Sequence, residues 1–503
     1  MGLIVGLKNL AYEISWEHNA RKLEKHAENL QDRLSYPHRK RKVDGTEAVE
    51  EAKRQCMFEK WDEILTIVRT ECDLSDASYN DWLKPLKFYG ISGCIVMVAA
   101  PFSQEDIGYL KRYYSAPLQS AIREISGIDS PRVDFVSPED IDKKEKADRI
   151  MDFSIELLQA CYDEAETLDK TFNISPFAAL CALGMMANGA AGDTKAEIEE
   201  VLKMPMEVLD QYIRVYMEED DYGLKGANLI CFSGRENPEI WERFVRLCNE
   251  NYGADIVEEE LNPVTVGKIN DWVEQKTDGM IGSILEPAGS EGVLHLINAL
   301  AFDKKWDICF QEESETGDFI NWRGTVQKVK MMSARENIYL EDAHTVGFMK
   351  PYEDERFCFV ALLPKEDEDI IDYLFDLTGK KLRKILLNAQ IKPVVVKMPA
   401  FKGETEIKMK EALKAMGIGK VFSEEADFSK LGALENVAVK DVKQKTYISV
   451  DKEGAKAAAA TMTEYLMKSI TVPGRIVLDR PFIYMIYDEK KELPIFIGIM
   501  MEV

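Results

Sequence analysis

The sequence predicts an α+β protein, and three observations carry that expectation. Beyond Ile150, amphipathic helical patterns are interleaved with β-branched runs such as Val394-Val395-Val396 and Ile483 through Tyr487, the mixture expected of a large domain with an antiparallel sheet core. Ahead of it, residues 57–136 carry their own short alternation of helix and strand patterns, enough for a small second α+β domain. Between the two lies SPEDIDKKEKADR, a charged stretch with a proline, which reads as a linker over residues 138–147.

The elements follow in order. Residues 1–54 read as a polar helical segment broken at Pro37 and Gly45, with the basic cluster Arg39, Lys40, Arg41 and Lys42 between the breaks. A run of four basic residues reads as a solvated helix end rather than a nucleic-acid patch. In the unit 55–137, Phe58, Trp61, Ile64, Leu65 and Val68 recur at helical spacing. Ser75 caps a second helix that ends at Trp82-Leu83-Lys84-Pro85-Leu86. Ile91 to Ala99 reads as strand with a turn at Ser92-Gly93, Leu110 to Ile125 as one helix, and Val133 to Val136 as a closing strand.

Composition narrows the function classes. The chain of 503 residues has a formal charge of -25, unevenly placed: residues 1–150 hold 23 Lys+Arg against 26 Asp+Glu, and the remaining 41 against 63 leave -22 on the rest. Such an acidic body repels polyanions, so no nucleic-acid partner is expected for the C-terminal part, nor an anionic membrane. Nine cysteines at irregular spacing, with no CxxC pair, read as reduced core thiols. The N-terminus MGLIVGLKNLAYEISWEH breaks at Lys8 and Asn9 and lacks the pattern of a signal peptide, which leads to an expectation of cytoplasmic residence. Neither a GxxxxGK[ST] loop nor a metal-ligand spacing occurs, so no cofactor and no metal are expected. The five histidines, at 18, 26, 38, 295 and 344, have no Ser/His/Asp context, and His295 reads as a core or sheet residue; the chain is not expected to be an enzyme.

In the first unit, the element order and the phrase WLKPL ahead of Gly90-Ile91-Ser92-Gly93 resemble the N-terminal domain of the bacterial replication initiator DnaA, over about 80 residues. That resemblance implies a small KH-like module for self-association or protein docking, without the initiator's ATPase, and a bacterial source. The plainer reading is a small α+β adaptor.

The larger segment, residues 148–503, carries five phrases in order. Asn173-Ile174-Ser175-Pro176 opens a helix running to Gly189-Ala190, followed by Thr194 and Ile198. Ile269-Asn270-Asp271-Trp272-Val273 is followed by Thr277, Gly279 and Ile281, and Asn298 and Trp306 lie within LINALAFDKKWDICF. Lys350-Pro351-Tyr352 leads to Leu362-Leu363-Pro364, and Asp479-Arg480-Pro481-Phe482 to Ile495-Phe496-Ile497-Gly498. Together they resemble the serpin family. The resemblance implies antiparallel sheets, about eight or nine helices and an exposed reactive loop. It also implies suicide inhibition of a serine protease, which attacks the loop and is held as a covalent acyl-enzyme while the loop inserts into the main sheet. The native fold is then metastable. Ser175, Asn298, Trp306 and Gln444 fall where the family supports sheet opening, Gln444 standing where many members have a histidine.

The segment DKEGAKAAAATMTEYLMKSITVPGRI, from Asp451, occupies the reactive-loop position. Its hinge comprises Glu453, Gly454, Ala455, Lys456, Ala457, Ala458, Ala459, Ala460 and Thr461. Strand alternation puts Ala455, Ala457, Ala459, Thr461, Thr463 and Tyr465 on one face, and Lys456 and Glu464 on the other. Insertion with the first set inward therefore buries no charge, and no proline interrupts the ladder. An Ala-rich surface helix is the competing local reading. Family spacing places the reactive bond at Lys468-Ser469, about 14 residues past Gly454, with Arg475-Ile476 as the rival. A basic residue there selects a protease with an acidic specificity pocket, trypsin-like or subtilisin-like. Lys452 stands where an acid is usual at the loop base, beside Glu453. Two other readings stay open: a non-inhibitory serpin scaffold acting through the DnaA-like domain, and a replication-linked regulator.

Overall fold

The computed structural model describes residues 45–503 except 93, 165–170, 219–223, 233–236, 260, 287–293, 432–436 and 454–473. The described residues form two compact units that divide between Ala147 and Asp148.

The smaller unit packs helices α1 (Gly45–Glu59) and α2 (Trp61–Glu71), then the hairpin β1 (Lys87–Ser92) and β2 (Ile95–Ala99). Helices α3 (Gln104–Tyr113) and α4 (Ser115–Ser126) follow, and β3 (Arg132–Val136) completes a sheet of order β1-β2-β3, antiparallel then parallel. Trp61, Ile64, Leu65 and Val68 form its core with Val96, Val98, Leu118 and Ile122. Ser75 caps as expected, its hydroxyl accepting from the Ser78 amide at 3.2 Å. Three expectations change. Phe58 is 71% exposed and Met57 is buried in its place, because Lys60, at φ -103 and ψ 8, breaks the helical register between α1 and α2. Helix α1 also runs across the boundary expected at residue 54. The single helix expected from Leu110 to Ile125 is divided at Tyr114, where Pro117 cannot donate to the preceding turn.

The stretch 138–147, expected as a linker, is the opening of helix α5 (Pro138–Glu164). The local chemistry is that of a helix start: the Ser137 hydroxyl accepts from the Asp140 amide at 3.1 Å, and Pro138 takes the first helical position, where its missing N–H costs nothing.

In the larger unit the described residues contain β4 (Phe172–Ile174), α6 (Pro176–Gly189), α7 (Gly192–Leu202), α8 (Met206–Glu218), β5 (Leu224–Phe232), α9 (Pro238–Tyr252), β6 (Asp255–Val257), α10 (Pro263–Lys276) and β7 (Leu294–Phe302). Then come β8 (Gln311–Ile320), β9 (Val326–Glu341), β10 (Thr345–Pro351), β11 (Phe357–Pro364), α11 (Ile370–Asp376), α12 (Gly379–Leu387), β12 (Gln390–Pro399), β13 (Phe401–Lys408), α13 (Lys410–Ala415) and β14 (Val439–Val450). The chain closes with β15 (Gly474–Val477), β16 (Phe482–Asp488) and β17 (Leu493–Met500). The runs Val394–Val396 and Ile483–Tyr487 are strands, β12 and β16, and His295 is buried in β7.

Two sheets share one core. The first runs β15-β12-β9-β10-β11-β16-β17-β4, with β8 also paired to β9; the second runs β13-β14-β7-β5-β6. Helix α6 lies between them, buried on nearly every side, as an apolar helix without a polar face must be. Ser175 caps it, accepting from the Ala178 amide at 3.1 Å, and Pro176 opens it. Gly184 is required where α6 meets α9, since a Cβ there would stand 2.2 Å from the Tyr252 hydroxyl. That hydroxyl donates to the Asp210 carboxylate on α8, which also accepts from Asn188 Nδ2 at 2.7 Å. Burial lifts the Asp210 carboxyl above its ordinary value, and these two hydrogen bonds oppose the shift.

Candidate functional site

The second sheet contains two parallel junctions, β5 with β6 at its edge and β14 with β7 in its interior. β14 and β7 pair parallel, from Val439 opposite Leu294 to Ile448 opposite Phe302, while β14 with β13 and β7 with β5 are antiparallel. Parallel strands joined edge to edge are the less stable pairing per residue. β14 leads directly into the segment beginning at Gly454, and β15, which follows it, belongs to the other sheet.

Three of the residues singled out from the sequence meet behind the middle of this seam. Gln444 and Asn298 are register partners across it, each 1% exposed. Gln444 Oε1 accepts from the Ser175 amide at 2.8 Å, and its Nε2 donates to the Ser175 carbonyl at 2.9 Å. The carboxamide thus ties the seam to the cap of α6 with both its groups, neither of which titrates. Asn298 Nδ2 donates to Asn228 Oδ1 on β5 at 2.8 Å, and Asn228 Nδ2 to the Tyr252 carbonyl at 2.9 Å.

Trp306 lies at the upper end, where β14 finishes. Its indole N–H donates to the Asp451 carbonyl at 2.8 Å, its ring stacks on Tyr352 at 4.3 Å between centroids, and the Phe310 amide donates to the Lys452 carbonyl at 2.9 Å. Of the hinge, Glu453 is in view: its amide donates to Asp451 Oδ1 at 2.9 Å and its side chain lies 3.8 Å from the Lys452 ammonium. The rest of the hinge, Gly454, Ala455, Lys456, Ala457, Ala458, Ala459, Ala460 and Thr461, and the bond Lys468-Ser469 lie outside the described residues.

Beneath Trp306 is a pair the sequence reading missed. The Lys350 ammonium, 1% exposed, sits 2.7 Å from Glu336 Oε1 and donates to the Ile308 carbonyl at 2.6 Å. It also lies 4.5 Å from the Phe310 ring centre and 5.5 Å from that of Trp306. Burial lifts the Glu336 carboxyl above its usual range, and the Lys350 ammonium opposes that. Strand parity held the signal, because Glu336 follows Met332 and Ala334 on the inward side of β9, where a carboxylate needs a partner.

All nine cysteines are free thiols, and burial pushes Cys161, Cys181 and Cys231 up to about 12. Among the described residues no group of three or more His, Cys, Asp or Glu could hold a metal ion, and no helix is long and apolar enough to cross a membrane.

Comparisons with known proteins agree with this architecture. The crystal structure of tengpin, a thermophilic serpin, in its native state superposes with a TM-score of 0.66 at 37% identity, over 72% of this chain and 95% of that one. Iris, from Ixodes ricinus, is 27% identical over 71% of this chain and 98% of its own length. Intracellular coagulation inhibitor 2, from Tachypleus tridentatus, is 28% identical over 71% of this chain and 93% of its own length. The family model described as serpin (serine protease inhibitor) matches residues 148–503, and on that span this chain belongs to the serpin family.

Proposed function

We propose that residues 148–503 trap a serine protease of basic specificity by cleavage at Lys468-Ser469 and insertion of the severed loop between β7 and β14. The observation that carries this reading is the parallel β7–β14 seam. A strand entering it antiparallel to both neighbours exchanges one parallel ladder for two antiparallel ones, the kind of gain that would drive an irreversible conformational step. The loop's alternation supports the same step, since its inward set of Ala455, Ala457, Ala459, Thr461, Thr463 and Tyr465 contains no charge. The rival bond Arg475-Ile476 is disfavoured because Arg475 pairs with Val395 inside the β15–β12 ladder. A relative named as a coagulation inhibitor is in keeping with the reading.

The N-terminal unit is assigned the role of an adaptor resembling the DnaA N-terminal domain, for self-association or protein docking. Its support is an aromatic column, Trp82 against Tyr109 at 4.6 Å and Tyr109 against Tyr113 at 4.5 Å, with Tyr113 54% exposed. A reducing, cytoplasmic setting accords with the free thiols.

Incubation with trypsin tests the inhibitory reading. The expected product is a covalent band at the summed mass less the peptide Ser469–Val503, which cleavage severs and denaturation releases, together with a rise in melting temperature of the cleaved chain. Release of a nicked chain with no covalent band and an unmoved melting temperature would favour a non-inhibitory scaffold acting through the adaptor unit.

A further inference from the structure

The outer face of the first sheet carries a cationic island beside the point where the loop segment rejoins the fold. Val395 on β12 is the register partner of Arg335 on β9 and of Arg475 on β15, so the two arginines flank it on one rung. Strands stand about 4.8 Å apart, which puts the two arginine backbones about 10 Å from each other on the same face. Both side chains are exposed, and neither is paired with a carboxylate among the described residues. Lys397, two residues along β12 from Val395, shares the face by strand alternation.

The position of the island gives it meaning. β12 and β15 run parallel and their first paired rung is Val394 with Gly474, so the chain enters β15 one rung before Arg475. Ser469 lies five residues ahead of Gly474 in the chain, so a protease cleaving at Lys468-Ser469 would hold its leaving-group side within about 18 Å of this rung. The rest of the domain is strongly acidic, as residues 151–503 account for most of the charge of -25. An acidic protease surface would therefore be repelled by the domain's net charge and attracted at this rung, which orients encounter. A long polyanion is the poorer occupant, because it would have to extend beyond these few cations across the acidic body.

We infer that Arg335 and Arg475, with Lys397 at their margin, form a docking surface for an acidic patch on the leaving-group side of the target protease. The inference rests on the inhibitory reading above and adds to it a determinant of partner choice outside the reactive bond.

Anionic trypsin is the probe, and the rate of covalent-complex formation the readout. The charge reversal Arg335→Glu/Arg475→Glu is compared with Lys268→Glu/Lys276→Glu, which changes net charge equally on α10, against the other sheet. At about 50 mM salt the first pair should slow association about tenfold and the second less than about twofold, and the difference should shrink at about 500 mM. Equal effects from both pairs would show that only net charge matters and would overturn the docking surface. So would a large acceleration of the wild type by heparin that is lost in the arginine pair, which would make the face a polyanion site. Should no covalent complex form with any variant, binding of trypsin with its catalytic serine changed to alanine decides separately. Weaker binding by the arginine pair alone upholds the surface while the trapping mechanism falls, and equal binding overturns the surface itself.

Discussion

The Gln444 side chain closes on Ser175 from both sides, taking the Ser175 amide proton at 2.8 Å and giving one to the Ser175 carbonyl at 2.9 Å. These residues are separated by 269 positions, and the contact joins the middle of the parallel seam to the first turn of the central helix. It anchors β14, one side of the seam, to the helix beneath.

Removing that tie should loosen the seam. Gln444→Ala forfeits two buried hydrogen bonds and leaves the Ser175 groups unpaired, a loss of about 2 kcal/mol. The variant should unfold at lower denaturant concentration than wild type and form polymers faster at elevated temperature, read on native gels. Gln444→His should restore part of the stability and introduce a pH dependence near neutrality that the amide lacks. Unchanged polymerisation in Gln444→Ala would remove this contact from any role in sheet opening.

The buried Lys350–Glu336 pair supports the aromatic group that holds the end of β14. Lys350→Met keeps much of the volume but leaves the Glu336 carboxyl without its cation and the Ile308 carbonyl without its donor. Breaking a pair of this kind costs about 3 kcal/mol. Because Trp306 and Phe310 hold the Asp451 and Lys452 carbonyls, the loss should also speed spontaneous conversion to an inactive form, measured as decay of trapping capacity on storage. The double change Lys350→Met/Glu336→Leu should recover most of the stability. Failure to recover it would mean that packing, rather than the stranded charge, sets the cost.

On the proposed reading, cleavage specificity rests on the Lys468 side chain. Lys468→Ala should lower the rate of trapping by trypsin at least about 100-fold, because an acidic specificity pocket is left without its cation. Mass spectrometry of the released C-terminal peptide from the wild type should place its first residue at Ser469. A peptide beginning at Ile476 would transfer the reactive bond to Arg475.

Asp210 supplies a pH test of the helical layer. Burial lifts its carboxyl above 3.8, against the hydrogen bonds from Tyr252 and Asn188. A carboxyl raised in the fold stabilises it most while protonated, at and below the unfolded value, and that contribution disappears as pH climbs through the folded value. The wild type should therefore lose stability relative to Asp210→Asn as pH rises from about 4, and the gap should level off once the folded pKa is passed. Urea midpoints of both proteins across that range check this; a gap that does not vary with pH would show that the carboxyl is not perturbed.

What the sequence determined alone is whatever neighbouring residues can encode between themselves. Ser175-Pro176 marks a helix start, since cap and first turn are adjacent, and the β-branched runs of β12 and β16 announce strands by composition. Five short phrases in order sufficed for the family. Where a local signal misled, the cause was a neighbouring residue given too little weight: Lys60 turned Phe58 outward, and Ser137-Pro138 made a helix start of an expected linker. Only the tertiary structure decided which side chains share a site. Gln444 meets Ser175 where a strand packs on a helix cap and Lys350 meets Glu336 across adjacent strands, while Asn298 with Asn228 and Arg335 beside Arg475 are joined by sheet register, where a shift of one residue would turn the side chains to opposite faces. Register is settled by the packing of the whole core, a sum over contacts distant in the chain that no local pattern contains.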